Sequence, residues 1–243
     1  MLVWKKAGAA KARIPAGQRI YAIGDIHGRA DLLAAVLKRI DDDLRTRPVA
    51  EPLQIFLGDY IDRGPQSRTV LDILIERRQQ HRMVLLKGNH ELFAIEILRN
   101  PAVLDDWIKM GGLSTLLSYG VELRDCGSIK ETEIAGAFRR VLPESHQDFF
   151  LHLTASFSCG DFFFTHAGVR PGIPLHQQRE QDLLWIRDEF LSHEEGFGKI
   201  VVHGHSPSTE PEFRANRINI DTGAYATGRL TCLVLEGDEA VCL

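Results

Sequence analysis

Leu53-Gln54-Ile55-Phe56-Leu57-Gly58-Asp59-Tyr60-Ile61-Asp62-Arg63-Gly64-Pro65 decides how this chain is read. Its apolar opening is the kind of run that makes a buried strand of a parallel sheet. Glycine and proline then end the strand sharply. Two carboxylates and a guanidinium therefore emerge at the carboxyl end of a strand, where open α/β sheets place their ligands. Asp59 and Asp62 repel each other and call for a nearby cation. Arg63 alone could supply it, but the rest of the chain argues for metal.

Four further apolar runs end in the same way. Ile20-Tyr21-Ala22-Ile23 leads into Gly24-Asp25-Ile26-His27-Gly28, and Met83-Val84-Leu85-Leu86 leads through Lys87 into Gly88-Asn89-His90-Glu91. Phe162-Phe163-Phe164-Thr165 delivers His166-Ala167-Gly168, and Lys199-Ile200-Val201-Val202 delivers His203-Gly204-His205-Ser206-Pro207. A single histidine after a strand is usually a satisfied structural residue. Five strand ends carrying Asp, Asn or His beside Gly are hard to explain by packing. Carboxylate, amide and imidazole donors together suit Mn, Fe(II), Zn or Co rather than Ca or a cysteine-rich zinc knuckle.

The ordered series Gly-Asp-x-His-Gly, Gly-Asp-x-x-Asp-Arg-Gly, Gly-Asn-His-Glu, His-Ala-Gly and Gly-His-Ser-Pro resembles the metallophosphoesterase superfamily. The arginine after the second aspartate is similar to the phosphoprotein-phosphatase branch. Within it the chain resembles small bacterial and phage serine/threonine phosphatases and their relatives that hydrolyse diadenosine tetraphosphate. The likeness runs from about residue 19 to residue 243. Leu184-Trp185-Ile186-Arg187 and Ile218-Asn219-Ile220-Asp221-Thr222-Gly223-Ala224, followed by Gly228-Arg229-Leu230-Thr231, extend it.

That resemblance implies a calcineurin-like α/β sandwich of two mixed β-sheets flanked by helices. It also implies two divalent metal ions, manganese first, with iron, zinc or cobalt as alternatives. Asp25, His27 and Asp59 would hold one; Asp59, Asn89, His166 and His205 would hold the other. A carboxylate at Asp59 bridging two cations ~3.5–4 Å apart is what two-metal hydrolysis needs, with water activated between them for direct in-line attack. His90 would be the general acid, with Asp62 on its other ring nitrogen. Arg63, Arg187 and Asn89 would grip phosphate oxygens. His203 is placed behind the ligands rather than among them, and Asp221 and Tyr225 either line the cleft or simply shape the loop. For function, the resemblance favours a serine/threonine protein phosphatase acting on a phosphoprotein or phosphopeptide, on the strength of Gly-His-Ser-Pro and Ile-Asp-Thr-Gly-Ala. A dinucleoside polyphosphate hydrolase on the same site is the alternative, and a non-catalytic phosphate- or metal-binding regulator a remote third.

Composition sets the outer bounds. With 243 residues, 44% of them hydrophobic, the chain can bury one sizeable core. A net charge of −4 gives no electrostatic case for nucleic acid. No apolar run approaches the ~20 residues of a membrane helix, so no membrane is expected. Cys126, Cys159, Cys232 and Cys242 show no Cys-x-x-Cys spacing, which reads as reduced thiols in a cytoplasmic protein. We expect a loose basic arm over 1–18 and a single domain over 19–243, with a helical insertion at about 99–153. Helices are predicted over 30–45, 67–80 and 182–191, and Asp41-Asp42-Asp43 reads as a solvated helix end. Trp107, Phe138, Phe149 and Phe150 are the expected core of the insertion.

Overall fold

A computed structural model describes residues 12–122 and 130–243. Among the described residues, ten strands form two mixed sheets. In chain order they are β1 (Gln18–Ile23), β2 (Glu51–Phe56), β3 (Met83–Leu85), β4 (Ser156–Cys159), β5 (Phe162–Thr165), β6 (Ile200–His203), β7 (Glu212–Phe213), β8 (Arg217–Asn219), β9 (Cys232–Glu236) and β10 (Glu239–Cys242). The first sheet runs β10-β9-β1-β2-β3 and the second β4-β5-β6-β8-β7. Strands β1, β2 and β3 are parallel, with β9 and β10 added antiparallel; β5, β6 and β8 are parallel, with β4 and β7 antiparallel at the edges.

The unbroken apolar strands follow from burial on both faces. Ile20, Ala22, Ile55, Leu233 and Leu235 of the first sheet share one core with Phe162, Phe164, Val202 and Ile218 of the second. Their neighbours Tyr21, Ile23, Phe56 and Val234 point the other way, into the core that carries the helices α1 (Ala30–Thr46) and α2 (Ser67–Arg78). On the far side, Phe163 and Val201 pack with Leu183, Ile186 and Phe190. The result is a four-layer α/β sandwich.

Between the sheets in sequence come α3 (Asn89–Glu96), α4 (Leu104–Lys109), α5 (Gly112–Ser118), α6 (Glu131–Val141) and α7 (Glu144–Leu151). Trp107, Phe138, Phe149 and Phe150 are buried in the same cluster as Tyr60, Val70 and Leu71, so this helical segment and the first sheet share one core.

Three expectations need correction. Residues 12–18 are not loose: the Ile14 side chain is buried and its N–H donates to the Gly237 carbonyl, while Arg13 N–H reaches the Asp161 carboxylate; the rest of the arm lies outside the described residues, as does Cys126. The helix expected over 182–191 is two, α8 (Glu180–Trp185) and α9 (Asp188–Leu191), because Arg187 adopts non-helical φ −132°, ψ −97° and turns inward. The aspartate run is not simply solvated: Asp41 pairs with Arg77, Asp42 with Lys38 and Arg45, and Asp43 with Arg19 and the Tyr21 hydroxyl. A last short helix, α10, spans Ala224–Thr227. No helix among the described residues is long and apolar enough to cross a membrane.

If the helical segment unfolds with the sheets, Phe138→Ala should cost about 3–5 kcal/mol and lower a single melting transition. Far-ultraviolet circular dichroism and tryptophan fluorescence should melt together. A separate, earlier transition in the variant would show the segment to be a domain of its own.

Candidate active site

The five glycine-punctuated strand ends meet at one place. Asp25, His27, Asp59, Asn89, His166 and His205 are all buried there, with Asp62 and His90. Among the described residues, the non-glycine residues with positive φ are His27, Asp59, Asp62, Arg63 and His205, at φ 45–72°. Left-handed backbone at non-glycine residues is costly and tends to cluster at functional sites. Two glycines permit the closest approaches: a side chain at Gly88 would collide with the Asp59 carboxylate, and one at Gly204 with that of Asp25.

Hydrogen bonds fix which ring nitrogens face inward. His27 Nδ1 donates to the Ile61 carbonyl at 2.9 Å, and His166 Nδ1 to that of Leu57 at 3.0 Å. In the neutral rings this leaves lone pairs on both Nε2 atoms. His27 Nε2 lies 3.4 Å from Asp59 Oδ2, and His166 Nε2 3.4 Å from Asp59 Oδ1. Asn89 Oδ1 sits 2.9 Å from both His166 Nε2 and His205 Nδ1. Oxygen and nitrogen atoms converging at such distances fit ligands sharing a cation, since ligands each ~2.0–2.2 Å from a metal lie roughly 3–3.5 Å apart. Two donor groups result, His27 with Asp59 and His90, and Asp59 with His166 and His205. Asp59 belongs to both. Asp25 donates no ring nitrogen, yet its Oδ1 is buried without a partner while its Oδ2 accepts the His205 N–H. That orphaned oxygen fits a metal ligand as well.

The electrostatics agree. Burial drives the His27 imidazole down to about 3 and, with His166, that of His205 down to about 2, so both are neutral at pH 7, the form that binds metal. Burial raises the Asp25 carboxyl well above its ordinary range, with Asp221 and Asp59 adding to the rise. Burial also lifts Asp221 to about 6. For Asp59 burial pushes upward too, but His166, His90, His27 and His205 together hold it below the usual carboxylate range. A crowd of buried carboxylates and neutral imidazoles is what a pair of divalent cations would stabilise.

His90 sits beside this cluster. Its Nδ1 lies 2.7 Å from Asp62 Oδ2, and Arg63 donates to its Nε2 at 3.2 Å. Burial works against the charged ring, but Asp59 and Asp62 raise its pKa overall. Asp62 does not pair with Arg63. Instead it accepts from Trp107 Nε1 at 2.9 Å and from the Thr115 hydroxyl at 2.6 Å, two donors from the helical segment. The Nε2 of His90 is also 3.7 Å from Asp59 Oδ2, so geometry alone admits it as a ligand. On the other side, Arg187 Nε donates to His205 Nε2 at 3.0 Å. The resulting tautomer carries its proton on Nδ1, and a cation there would replace that proton and release Arg187. Neither Arg63 nor Arg187 pairs with a carboxylate among the described residues. His203 lies behind the cluster, edge-on to Phe190 with ring centroids 4.9 Å apart, its Nδ1 donating to the Gly204 carbonyl.

Glu91 carries more of the site than its place in the sequence motif reveals. Fully buried, it accepts the N–H groups of Gly88 at 2.8 Å, Asp59 at 3.0 Å and Tyr60 at 2.8 Å. Burial and Asp59 push its carboxyl up to about 8, against the pull of His90 and of the backbone donors. Nothing near Trp107 or Thr115 in the sequence marks them as partners of Asp62.

Asp59→Asn should strip bound metal and activity together, scored by metal content after dialysis. His90→Asn should keep its metal and lose roughly 10²–10⁴-fold in kcat if His90 is the acid. Loss of metal from that variant would place His90 among the ligands.

The family model for calcineurin-like phosphoesterases matches residues 18–235. Two relatives of similar length are named bis(5'-nucleosyl)-tetraphosphatase PrpE [asymmetrical]. The one from Anoxybacillus flavithermus is 29% identical over 87% of this chain and 88% of its own. The one from Bacillus velezensis is 26% identical over 86% of each. A crystal structure described as a putative diadenosine tetraphosphatase superposes with a TM-score of 0.65 at 19% identity, covering 96% of this chain and 97% of that one, which shows a shared fold. The matched span reaches from β1 into β9 and takes in every loop that converges on Asp59, and on that ground the chain belongs to the calcineurin-like phosphoesterase family of metallophosphoesterases.

Proposed function

We propose that this metallophosphoesterase hydrolyses dinucleoside polyphosphates, cutting a phosphoanhydride in substrates such as diadenosine tetraphosphate. The observation that carries the choice is the likeness, along nearly their whole length, to proteins named for that activity. It supports this reading above the serine/threonine protein phosphatase that the sequence motifs favour.

In this reading Asp25, His27 and Asp59 hold one divalent ion, and Asp59, Asn89, His166 and His205 the other. When bound, the ions polarise the phosphoryl group and make water nucleophilic near neutral pH. The chain's own groups do the rest. Arg63 and Arg187, uncommitted to carboxylates among the described residues, bind the non-bridging oxygens of the attacked phosphate and offset its growing charge. As Arg63 turns from His90 Nε2 to the phosphate, that nitrogen is free to carry a proton, which His90 gives to the departing phosphate oxygen. Asp62 keeps the opposite nitrogen protonated and stabilises the imidazolium, while Trp107 and Thr115 hold Asp62 in place. Water adds to one phosphorus, the bridging P–O bond breaks, and the two nucleotide products leave.

The leaving group separates the two candidate substrates. A nucleotide phosphate is a far better leaving group than a serine alkoxide, so it depends less on the acid. We expect His90→Asn to cost less on diadenosine tetraphosphate than on a phosphoserine peptide. The direct test is turnover by Mn²⁺-loaded protein on both substrates, with products separated to score an asymmetrical cut. A higher kcat/KM on the dinucleotide upholds the proposal; preference for the phosphopeptides reinstates the protein phosphatase. Turnover of neither substrate, nor of a generic aryl phosphate, would leave a binding protein.

A further inference from the structure

Among the described residues, only two aromatic side chains are exposed, Trp185 at 38% and Tyr225 at 41%. Both stand at the candidate metal cluster, and on different sides of it. Tyr225 lies edge-on to His27 with ring centroids 5.4 Å apart, and the Arg63 guanidinium sits 4.8 Å from the centre of its ring. Trp185 lies edge-on to His205 at 6.4 Å and to Phe93 at 6.3 Å. His27 and His205 belong to the two separate donor groups that share Asp59. A continuous row of side chains therefore runs Tyr225, His27, Asp59, His205, Trp185, with an exposed aromatic ring at each end and an arginine beside each ring.

Packing gives no reason for this arrangement. Aromatic rings bury large areas wherever a fold can use them, and every other described Phe, Tyr or Trp ring in this chain is at least partly buried. Trp185 is the last residue of α8, directly before the helix break that turns Arg187 toward His205, so one local distortion places both side chains. Beside it opens a cleft of about 360 Å³, lined in part by Arg170, Arg179, Asp182 and Arg187, a size within the range of small-molecule sites. Arg179 is tied to Asp182 at 3.0 Å, and Arg170 to both Asp182, at 2.6 Å, and Glu189. With those charges matched, the cleft offers a flat aromatic surface and hydrogen-bonding groups rather than a strong positive field, which suits a nucleoside better than a phosphate.

We propose that Trp185 and Tyr225 are the two base-binding shelves of this site, each stacking one terminal nucleobase of a dinucleoside polyphosphate whose phosphate chain passes over Asp59 between them. This rests on the dinucleotide reading above and adds to it the residues that recognise the ends of the substrate. A phosphopeptide would have no need of two such rings.

The experiment uses the metal-loaded full chain, its Trp185→Ala and Tyr225→Ala variants, and Trp185→Phe as a conservative partner. Stacking of a base on an aromatic ring supports about a 5- to 150-fold effect. Each alanine variant should raise KM for diadenosine tetraphosphate by a factor in that range. The inhibition constant of inorganic tetraphosphate, which has no base, should move by much less, and Trp185→Phe should recover most of the loss. Should an alanine variant prove unstable, Trp185→Gln and Tyr225→Gln make the same test. If the wild-type protein turns over the dinucleotide and the two constants move in parallel in both variants, the shelves are overturned and the dinucleotide reading survives. An effect at only one ring overturns the two-shelf arrangement. No turnover of the dinucleotide by the wild type overturns both readings.

Discussion

The geometry around Asp59 depends on a buried carboxylate that belongs to neither donor group. Glu91 accepts N–H groups from Gly88, Asp59 and Tyr60, and so ties the loop after β2 to the start of α3. These bonds matter in free energy, since each buried N–H left without a partner would cost about 1–3 kcal/mol. They are needed here because Asp59 holds a left-handed backbone at φ 51°. Without Glu91 the loop would relax, and Asp59 would no longer face His27 on one side and His166 on the other. The same side chain closes back on Gly88 at the start of α3, so one carboxyl group begins a helix and seats the residue shared by both donor groups.

The rest of the fold can be understood as resistance to strain at this point. Five non-glycine residues of the site sit at positive φ, at a typical cost of about 1–3 kcal/mol each. A domain's net stability is only about 5–15 kcal/mol. Such a site persists only where the surroundings leave its residues nowhere else to go. Here the strand ends are clamped by a core filled from two sheets, and the buried hydroxyls of Ser67 and Thr115 accept the amide N–H of Asp62. Rigidity far from the chemistry is thus a condition of the chemistry.

The ligand-bearing strand ends were legible in the sequence because each is a local pattern: an apolar run, a glycine, then a donor. The two-sheet stacking was not legible from periodicity, since strands buried on both faces lose their alternation, and it came only with the family resemblance. Long-range ties were invisible for a different reason. Asp62 meets Trp107 and Thr115 across 45 and 53 residues, and nothing near either partner announces the pairing. The break at Arg187 escaped helical periodicity because it is held by a contact to His205 rather than by a proline or glycine. Ile14 gives no sign of its burial in the sequence, because one apolar residue among basic neighbours carries no pattern. Choice of substrate lay beyond the motifs, because the surfaces that would meet it come from loops far apart in the chain.

The contact between Trp107 and Asp62 bears on how this enzyme can diverge. A helical segment inserted between two halves of a sandwich looks like an exchangeable cassette, free to drift or to be swapped among kin. Here its inner face reaches Asp62, the hydrogen-bond partner of His90, while Leu117 and Leu151 on its outer face are open to water. Variation is therefore free on one side of the segment and constrained on the other. A chimera that kept both donor groups but imported a foreign segment would lose the contacts that hold Asp62 against His90.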